Sequence, residues 1–568
     1  MTRGQALVAK KGMVVAHHRL SAQAGLDMLK SGGNAVDAVV CTAFVNSVVR
    51  PGMNGLGGFG GCMVIYLADV EKVVAVDYST VAPAEAHAEM YQPIPDSEIA
   101  EDSRMGRFFP VLPGYATRDD ANITGYLAIS VPPQPAGLAL ALEKFGTKPL
   151  KEVLAPAIQI AAEGFPLDVL TANVIERVYP HLKDFPATME ILAPNGRAPK
   201  VGDRLVMKEM AETMSLMAEE GVESFYEGSI ADKMVAYIRE HGGVLSKEDL
   251  SSYRARVEEK PSRGEYRGYE IYTPSLHSGG GATILQILHV LEGFDLARLG
   301  AGSSQLIHLI SEAMKLAWKD RLTFMGDPAC MGIPEAEFIS NAYADQQRAE
   351  LRHILEAGFT FPSSKGQVSG LGHTTHMNVM DEQGNMVALT QTDGWGFGSL
   401  VTIPGLGFNM NNGMSSFDPR PGRVNSIAPC KRPISRMCPS IVLKDGKPII
   451  ALGAGGGRRI MNILVQMLVD LIDFGMSAEE VIRAPRFHCE QEEPVLIEYG
   501  EDMEWGFPRE VIEALRGMGH VLRFTGDQPN PLYRRVAAPN IITFDPATGE
   551  KQGAARRIPI IDGTVAGY

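Results

Sequence analysis

The chain has little of what marks many specialised proteins. It has no long apolar run: the most apolar stretch, Ala35 to Val49, carries Asp37 and is too short to span a bilayer. Its first residues, MTRGQALVAKKGMVVAHH, lack the apolar stretch and small-residue cleavage site of a secretory signal, so a soluble, cytoplasmic protein is expected. Six cysteines in 568 residues are scattered and form no C-x-x-C pair. That argues against a disulfide framework or a zinc site and leaves small buried thiols as the expectation. Histidines stand singly apart from His17-His18, without metal-ligand spacing, so no metal and no organic cofactor is expected. Positive charge is not in excess: 53 Lys and Arg against 67 Asp and Glu give a formal net charge of −14. Nucleic acids and anionic membranes are therefore poor candidate partners. G-x-S-x-G, H-E-x-x-H and G-x-x-x-x-G-K-[ST] are all missing, as are internal repeats and low-complexity tracts.

What is there is an ordinary globular composition, 45% apolar and 21% charged, long enough for one large domain or two to three smaller ones. Met13 to Ala16 reads as a short strand, and Ser21 is placed to cap a helix from about Ala22 to Lys30. Asn34 with Asp37 three residues on forms a capping-box pattern for the next helix. The run Gly55-Leu56-Gly57-Gly58-Phe59-Gly60-Gly61 matches G-x-G-x-x-G, but a strand follows it instead of a helix, so it reads as a close backbone turn and not a dinucleotide site. Residues 92–130 read as a long loop or lid. From Pro132 to about Phe359 the period is mostly helical, with Ile310, Ala313, Met314 and Ala317 on one apolar face. A strand pair near Tyr269 and a Gly279-Gly280-Gly281 turn interrupt it. Residues 361–373, FPSSKGQVSGLGH, read as an exposed linker.

After the linker the period becomes two. HMNVMDEQGNMVALTQT is a hairpin about Gln383-Gly384-Asn385, and PSIVLKDGKPIIAL is a second one turning at Asp445-Gly446. The hairpin register places Thr374 opposite Thr392, about 5 Å away. A threonine at the end of a cleavable linker can become a nucleophile, because cleavage before it frees an α-amine of pKa about 7.7–8.0 as its base; the alternative is that Thr374 and Thr392 are ordinary β-branched strand residues. The turn Gly453-Ala454-Gly455-Gly456-Gly457 joins a strand to a helix. The N–H groups of Gly456 and Gly457 are candidates for an oxyanion hole, with a plain tight turn as the alternative. The alternation of strands and helices suggests sheets covered by helices.

Taken together the motifs resemble the γ-glutamyltranspeptidase family over nearly the whole chain. They run from GMVVAHHRLSAQAGLDMLKSGGNAVDAVV and NGLGGFGGCMVIY through AWKDRLTFMGDP and GHTTHMNVMD to KRPISRMCPSIVLKDGKPIIALGAGGGRRI, DFGMSAEEVIRAPRFH and GTVAGY. The resemblance implies an α/β fold of the Ntn-hydrolase type, a four-layer αββα sandwich. It also implies a precursor that cuts itself into a large fragment, 1–373, and a small one, 374–568, which stay together as a heterodimer; whether such units pair again is left open. In that resemblance Thr374 is the nucleophile, Thr392 its supporting threonine, Gly456 and Gly457 the oxyanion-hole glycines, and Ser435 the first of a serine pair that contacts the substrate carboxylate.

The chain departs from the family at the substrate. The carboxylate-binding arginine falls on Ala88, an asparagine past Thr392 on Gly394, a glutamine and an aspartate that hold the glutamyl α-amine on Gly413 and Ser416, and the second serine on Arg436. A guanidinium binds carboxylates bidentately, so Arg436 points to a small anionic amide placed differently from a γ-glutamyl group. Arg458, and Arg104 or Arg107 on the 92–130 loop, could assist, with structural ion pairs or solvated side chains as the favoured alternative for these three, and Trp395 is a candidate pocket wall. The expected chemistry is a two-step acyl transfer by an amide hydrolase or acylase. Genuine γ-glutamyl transfer with a rebuilt pocket and a non-catalytic binding protein are the alternatives.

Overall fold

Alternation along the strands decides the layering. On the central strands Val14, Met63, Ile65, Met377, Val379, Val387 and Leu389 face one way and join a core with the helices Arg19–Lys30, Ala35–Val49 and Gln134–Phe145. Their neighbours Met13, Val15, Val64, Tyr66, Met380, Met386 and Ala388 face the other way. They meet Ile441, Leu443, Ala451 and Ile542 of a second sheet. That sheet turns Val442, Ile450, Leu452, Ala454 and Ile541 onto the helices Gly281–Leu291, Ser304–Phe324 and Arg459–Ile472. The result is the αββα sandwich that the resemblance implied. The computed structural model describes residues 6–95, 98, 114–275, 280–358, 373–500, 505–527, 535–556 and 563–568.

Both sheets have seven strands, and every neighbouring pair is antiparallel. The first runs Thr564–Gly567, Met13–Ala16, His373–Met380, Met386–Gly394, Gly60–Leu67, Lys72–Ser79, Arg256–Glu258. The strand that begins at His373 is therefore central, flanked by chain from both sides of residue 374. The second sheet runs Leu7–Ala9, Glu550–Ala555, Ala538–Asp545, Lys447–Gly455, Ser440–Lys444, Tyr269–Thr273, Ser262–Tyr266. It too mixes residues from before and after position 374.

Local signals act as read at several points. The Asn34–Asp37 capping box is present, and Ala35–Val49 is buried along its whole length, a core helix and not an amphipathic one. Among the described residues no helix is long and apolar enough to cross a membrane. The Asp445-Gly446 turn has positive φ at both residues, as a two-residue hairpin turn requires.

Two expectations need correction. The first helix begins at Arg19, with the His18 imidazole accepting from the Leu20 N–H as its cap; Ser21 sits in the first turn and its hydroxyl donates to the His18 carbonyl. An imidazole nitrogen replaces the expected hydroxyl as acceptor. Cys41, Cys62, Cys438 and Cys489 are buried thiols, but Cys330 and Cys430 are exposed. The described ends of the 92–130 segment are irregular, with a Pro93–Thr117 bridge and single turns at Arg118–Asp120 and Tyr126–Ala128. Arg104 and Arg107 lie outside the described residues, as do Gly279 and linker residues 361–372, while His373 already belongs to a strand.

Candidate active site

Where the inter-sheet space nears the end marked by His373, its lining changes from aliphatic to polar. By strand parity the face that carries Met380 and Met386 also carries Thr374, His376, Asn378, Thr390 and Thr392. His376 bridges Thr390 Oγ1 at 2.8 Å and Asn378 Oδ1 at 2.9 Å. Asn378 donates to Asn540 Oδ1, and Asn540 donates back to the His376 carbonyl. Burial pushes the His376 imidazole down to about 3, so it is a neutral structural brace.

The expected pairing of Thr374 with Thr392 is present in the register. Both are buried, and Thr374 Oγ1 donates to Thr392 Oγ1 at 3.4 Å. The Thr392 hydroxyl donates to the carbonyl of His373 and also accepts from the Gly394 N–H at 3.0 Å. One donor and two acceptor positions are thus all used, which fixes the hydroxyl's orientation. The carbonyl it polarises belongs to the peptide bond that precedes Thr374.

The glycine run crosses directly over this pair. A Cβ on Gly453 would overlap the His376 ring, and one on Gly455 would overlap the Thr374 carbonyl oxygen. Only a bare backbone fits, which explains glycine at those two positions. Gly456 and Gly457 then take φ of 155° and 62° and turn the chain into the helix Arg459–Ile472. Their N–H groups head that helix within two residues of the Thr374 contact, where its dipole favours negative charge. Beneath Gly455 lies the His17 ring, pushed down to about 3 by burial and then by His376; among the described residues its Nδ1 has no hydrogen-bond partner.

Next to the glycine turn stands a group of long side chains. Arg436 Nη1 donates to Ser416 Oγ at 3.0 Å, so two of the departures from the family touch each other. Ser435 is buried, and its carbonyl accepts from Arg321. Arg321 crosses the Trp318 ring, and Arg458 stacks on the same ring 4.8 Å from its centroid. Burial, then neighbouring Arg458, pushes Arg436 down to about 10. Burial, then Arg458 and Arg436, pushes Arg321 to about 9. Arg321 and Arg436 both remain cationic at neutral pH. Arg458 forms a bidentate pair with Glu490, which Arg458 and His488 hold down to about 2 despite its burial. Among the described residues Arg321 and Arg436 have no carboxylate partner.

Trp395 is half-buried; its backbone N–H donates to Asn412 Oδ1, and its ring joins Ile94, Ala116, Ile123 and Tyr115. Tyr115 is in turn within electrostatic reach of Arg436 and Arg458. Gly394 has φ of 99°, and a Cβ there would overlap the Asn412 amide; one on Gly413 would overlap the Ser130 hydroxyl. At these two departures a side chain no longer has room. Ala88 is half-buried.

Thr374, Thr392, Gly456 and Gly457 therefore converge, and Ser435, Arg436 and Arg458 form one basic cluster with Arg321. Arg458 is already committed to Glu490. Sequence reasoning missed Arg321, Tyr115 and Glu490; the quoted AWKDR run contains Arg321, but nothing in its spacing points at Ser435. It also missed Asp393, buried beside Thr392 and accepting from Asn409 at 3.1 Å, its carboxyl pushed up to about 7 by burial.

A four-layer αββα sandwich with a strand-initial threonine under a glycine turn defines the class of N-terminal-nucleophile amidohydrolases. The sequence model of the Gamma-glutamyltranspeptidase family matches residues 21–548. The chain is 39% identical over 546 residues to the Acylase ACY 1 proenzyme of a Pseudomonas strain, covering 96% of this chain and 92% of that one. It is 35% identical over 501 residues to the Glutathione hydrolase proenzyme of Escherichia coli, covering 84% and 81%. Among solved structures, a cephalosporin acylase from Bacillus halodurans superposes with a TM-score of 0.86 at 29% identity, covering 100% of this chain and 98% of that one. The chain belongs to the γ-glutamyltranspeptidase family and is an amidohydrolase of the Ntn type.

Proposed function

We propose that the chain cuts itself before Thr374 and then hydrolyses small amides whose acyl group ends in a carboxylate but carries no α-ammonium. One observation carries the substrate reading: Arg436 reaches Ser416, where the resemblance expects an arrangement that holds an ammonium, and Arg321 and Arg458 stand beside it, with Glu490 paired to Arg458. An ammonium placed there meets like charge, whereas a carboxylate meets two guanidinium groups without a carboxylate partner. Acylase and glutathione hydrolase relatives both support amide chemistry, and the charge of the pocket favours the acylase side.

In the first step Thr374 Oγ attacks the His373 carbonyl, which the Thr392 hydroxyl polarises, and the amide becomes an ester. Water then cleaves the ester and leaves Thr374 with a free α-amine. In turnover that amine takes the hydroxyl proton as Oγ attacks the substrate carbonyl. The N–H groups of Gly456 and Gly457 hold the oxyanion, the amine product leaves with the proton, and water releases the acid.

A matched pair of anilides tests this. Glutaryl-p-nitroanilide and γ-glutamyl-p-nitroanilide differ by one α-ammonium, and kcat/KM should favour the glutaryl compound by at least about tenfold, 1.4 kcal/mol. The opposite preference would make the chain a glutathione-hydrolase-like enzyme. Intact mass should show fragments of about 40 and about 21 kDa; a stable single chain without turnover favours a binding protein.

A further inference from the structure

The long helix Ser304–Phe324 carries Arg321 near its C-terminal end and a separate polar cluster nearer its start. At 1.5 Å rise per residue the two are about 14 Å apart along the axis, so the cluster takes no part in the acyl chemistry. It consists of His308 and Glu312, one turn apart on a single helix face, and His520 from the turn after the helix Arg509–Gly517. His308 Nδ1 and His520 Nε2 lie 2.9 Å apart, and one donor atom from each of the three residues falls within 4.8 Å of the others.

Three features distinguish this from a chance meeting of polar groups. Glu312 is fully buried, and among the described residues its Oε2 has no hydrogen-bond partner. The cluster contains two carboxylates, Glu312 and Glu493, but one ammonium, Lys315, which donates to Glu312 Oε1 at 2.7 Å and to Glu493 Oε1 at 2.5 Å. Two buried carboxylates thus share one ammonium, an arrangement that a further cation would stabilise. Finally, His520 Nδ1 lies 2.7 Å from Glu493 Oε1, and a carboxylate only accepts, so Nδ1 carries a proton and Nε2 is the ring atom that faces the cluster. A carboxylate fixing a histidine in this way is the usual support behind a metal-bound imidazole.

We infer that His308, Glu312 and His520 form a divalent-metal site of the zinc type, supported by Glu493 and open at the half-buried His308 for a water as fourth ligand. Ligands about 2.0 Å from a tetrahedral ion sit about 3.3 Å from each other. The histidine pair opens slightly and Glu312 closes in. His308 gives up its hydrogen bond to His520 and shifts its proton to Nε2, so no proton is lost. His308, Glu312 and Lys315 precede Thr374, and His520 and Glu493 follow it. On the self-cleavage reading above, the ion then ties the large fragment to the small one.

Cobalt(II) serves as the probe, because its visible d–d absorption reports a tetrahedral site. Metal-stripped protein should bind one tight cobalt per chain. His308→Ala and the near-isosteric Glu312→Gln should each weaken that binding by about 100-fold or more, beyond the tenfold to hundredfold loss typical of outer supports. Uncut Thr374→Ala protein should bind as the wild type does, so the site is tested whether or not the chain cleaves. In cleaved protein, zinc should raise the urea concentration that separates the fragments, with no such rise in His308→Ala. No cobalt binding by wild type, or binding unchanged in both variants, overturns the site. Binding without any effect on fragment separation overturns the tie.

Discussion

The two walls of the pocket are built on different principles. The chemical wall is backbone and small side chains: Thr374 and Thr392 in strand register, with Gly453 and Gly455 pressed so close above that no Cβ fits. Its members constrain one another, so single changes there collide with neighbours. The proposed recognition wall is made of long side chains from four separate segments, Arg321, Arg436, Arg458 and Glu490, and it differs from the family in coupled positions: Arg436 reaches Ser416, and Asn412 fills the space beside Gly394. On the proposed function, keeping the first wall and rewriting the second keeps a reaction and changes what it acts on.

The largest effect expected is on the first wall. Thr374→Ala should abolish both chain cleavage and amide turnover, seen as one uncut chain by intact mass and no anilide hydrolysis. Thr392→Val keeps the shape but removes the donor to the His373 carbonyl and the acceptor for Thr374. Self-cleavage should slow by about 10²–10³, the usual cost of one oxyanion donor, measured as the half-time of band splitting. If Thr392→Val cleaves at the wild-type rate, the first wall is less constrained than its hydrogen bonds imply.

Behind that wall, Asp393 gives a pH signature. Its folded-state pKa of about 7 lies above the ordinary value of 3.8, so the folded protein holds the proton more tightly than the unfolded chain. Its contribution is complete below about pH 4, falls as pH rises, and is gone above about pH 7. Asp393→Asn removes this dependence. The stability difference between variant and wild type should shift in favour of the variant by on the order of 4 kcal/mol from pH 4 to pH 8, read from urea midpoints. A difference that is flat with pH would show Asp393 to be ionised and paired.

The two walls also differed in how far the sequence revealed them. A hairpin with a short turn has one register, so Thr374 opposite Thr392 followed by counting from Gln383-Gly384-Asn385, and the turn at Asp445-Gly446 was equally local. The four layers came from the family resemblance; the alternation of strands and helices by itself suggested only sheets covered by helices. Arg321 and Glu490 were invisible because their meeting with Arg436 and Arg458 is set by how helices seat on the second sheet. His308 and His520, 212 residues apart, were read as solitary histidines for the same reason. The His18 cap escaped because a hydroxyl is the commoner acceptor at that place.

The smallest effect expected separates the walls most sharply. Arg436→Gln should leave chain cleavage untouched, because its side-chain hydrogen bond goes to Ser416 and not to Thr374 or Thr392. It should lower kcat/KM for the glutaryl anilide by about 10–100-fold, 1.4–2.7 kcal/mol, the range of a charge-assisted contact to a carboxylate. The loss should fall mainly on KM, since the carboxylate is bound in ground and transition states alike. Arg436→Ser with Ser416→Asp restores the arrangement expected from the family and places a carboxylate where the guanidinium now points. That double variant should lose glutaryl turnover and gain on γ-glutamyl anilide relative to Arg436→Ser alone. The gain is bounded, because Gly394 and Gly413 still leave no room for the remaining amine-holding side chains. If Arg436→Gln slows both anilides equally and through kcat, Arg436 belongs to the chemical wall, and the division of labour argued from the geometry fails.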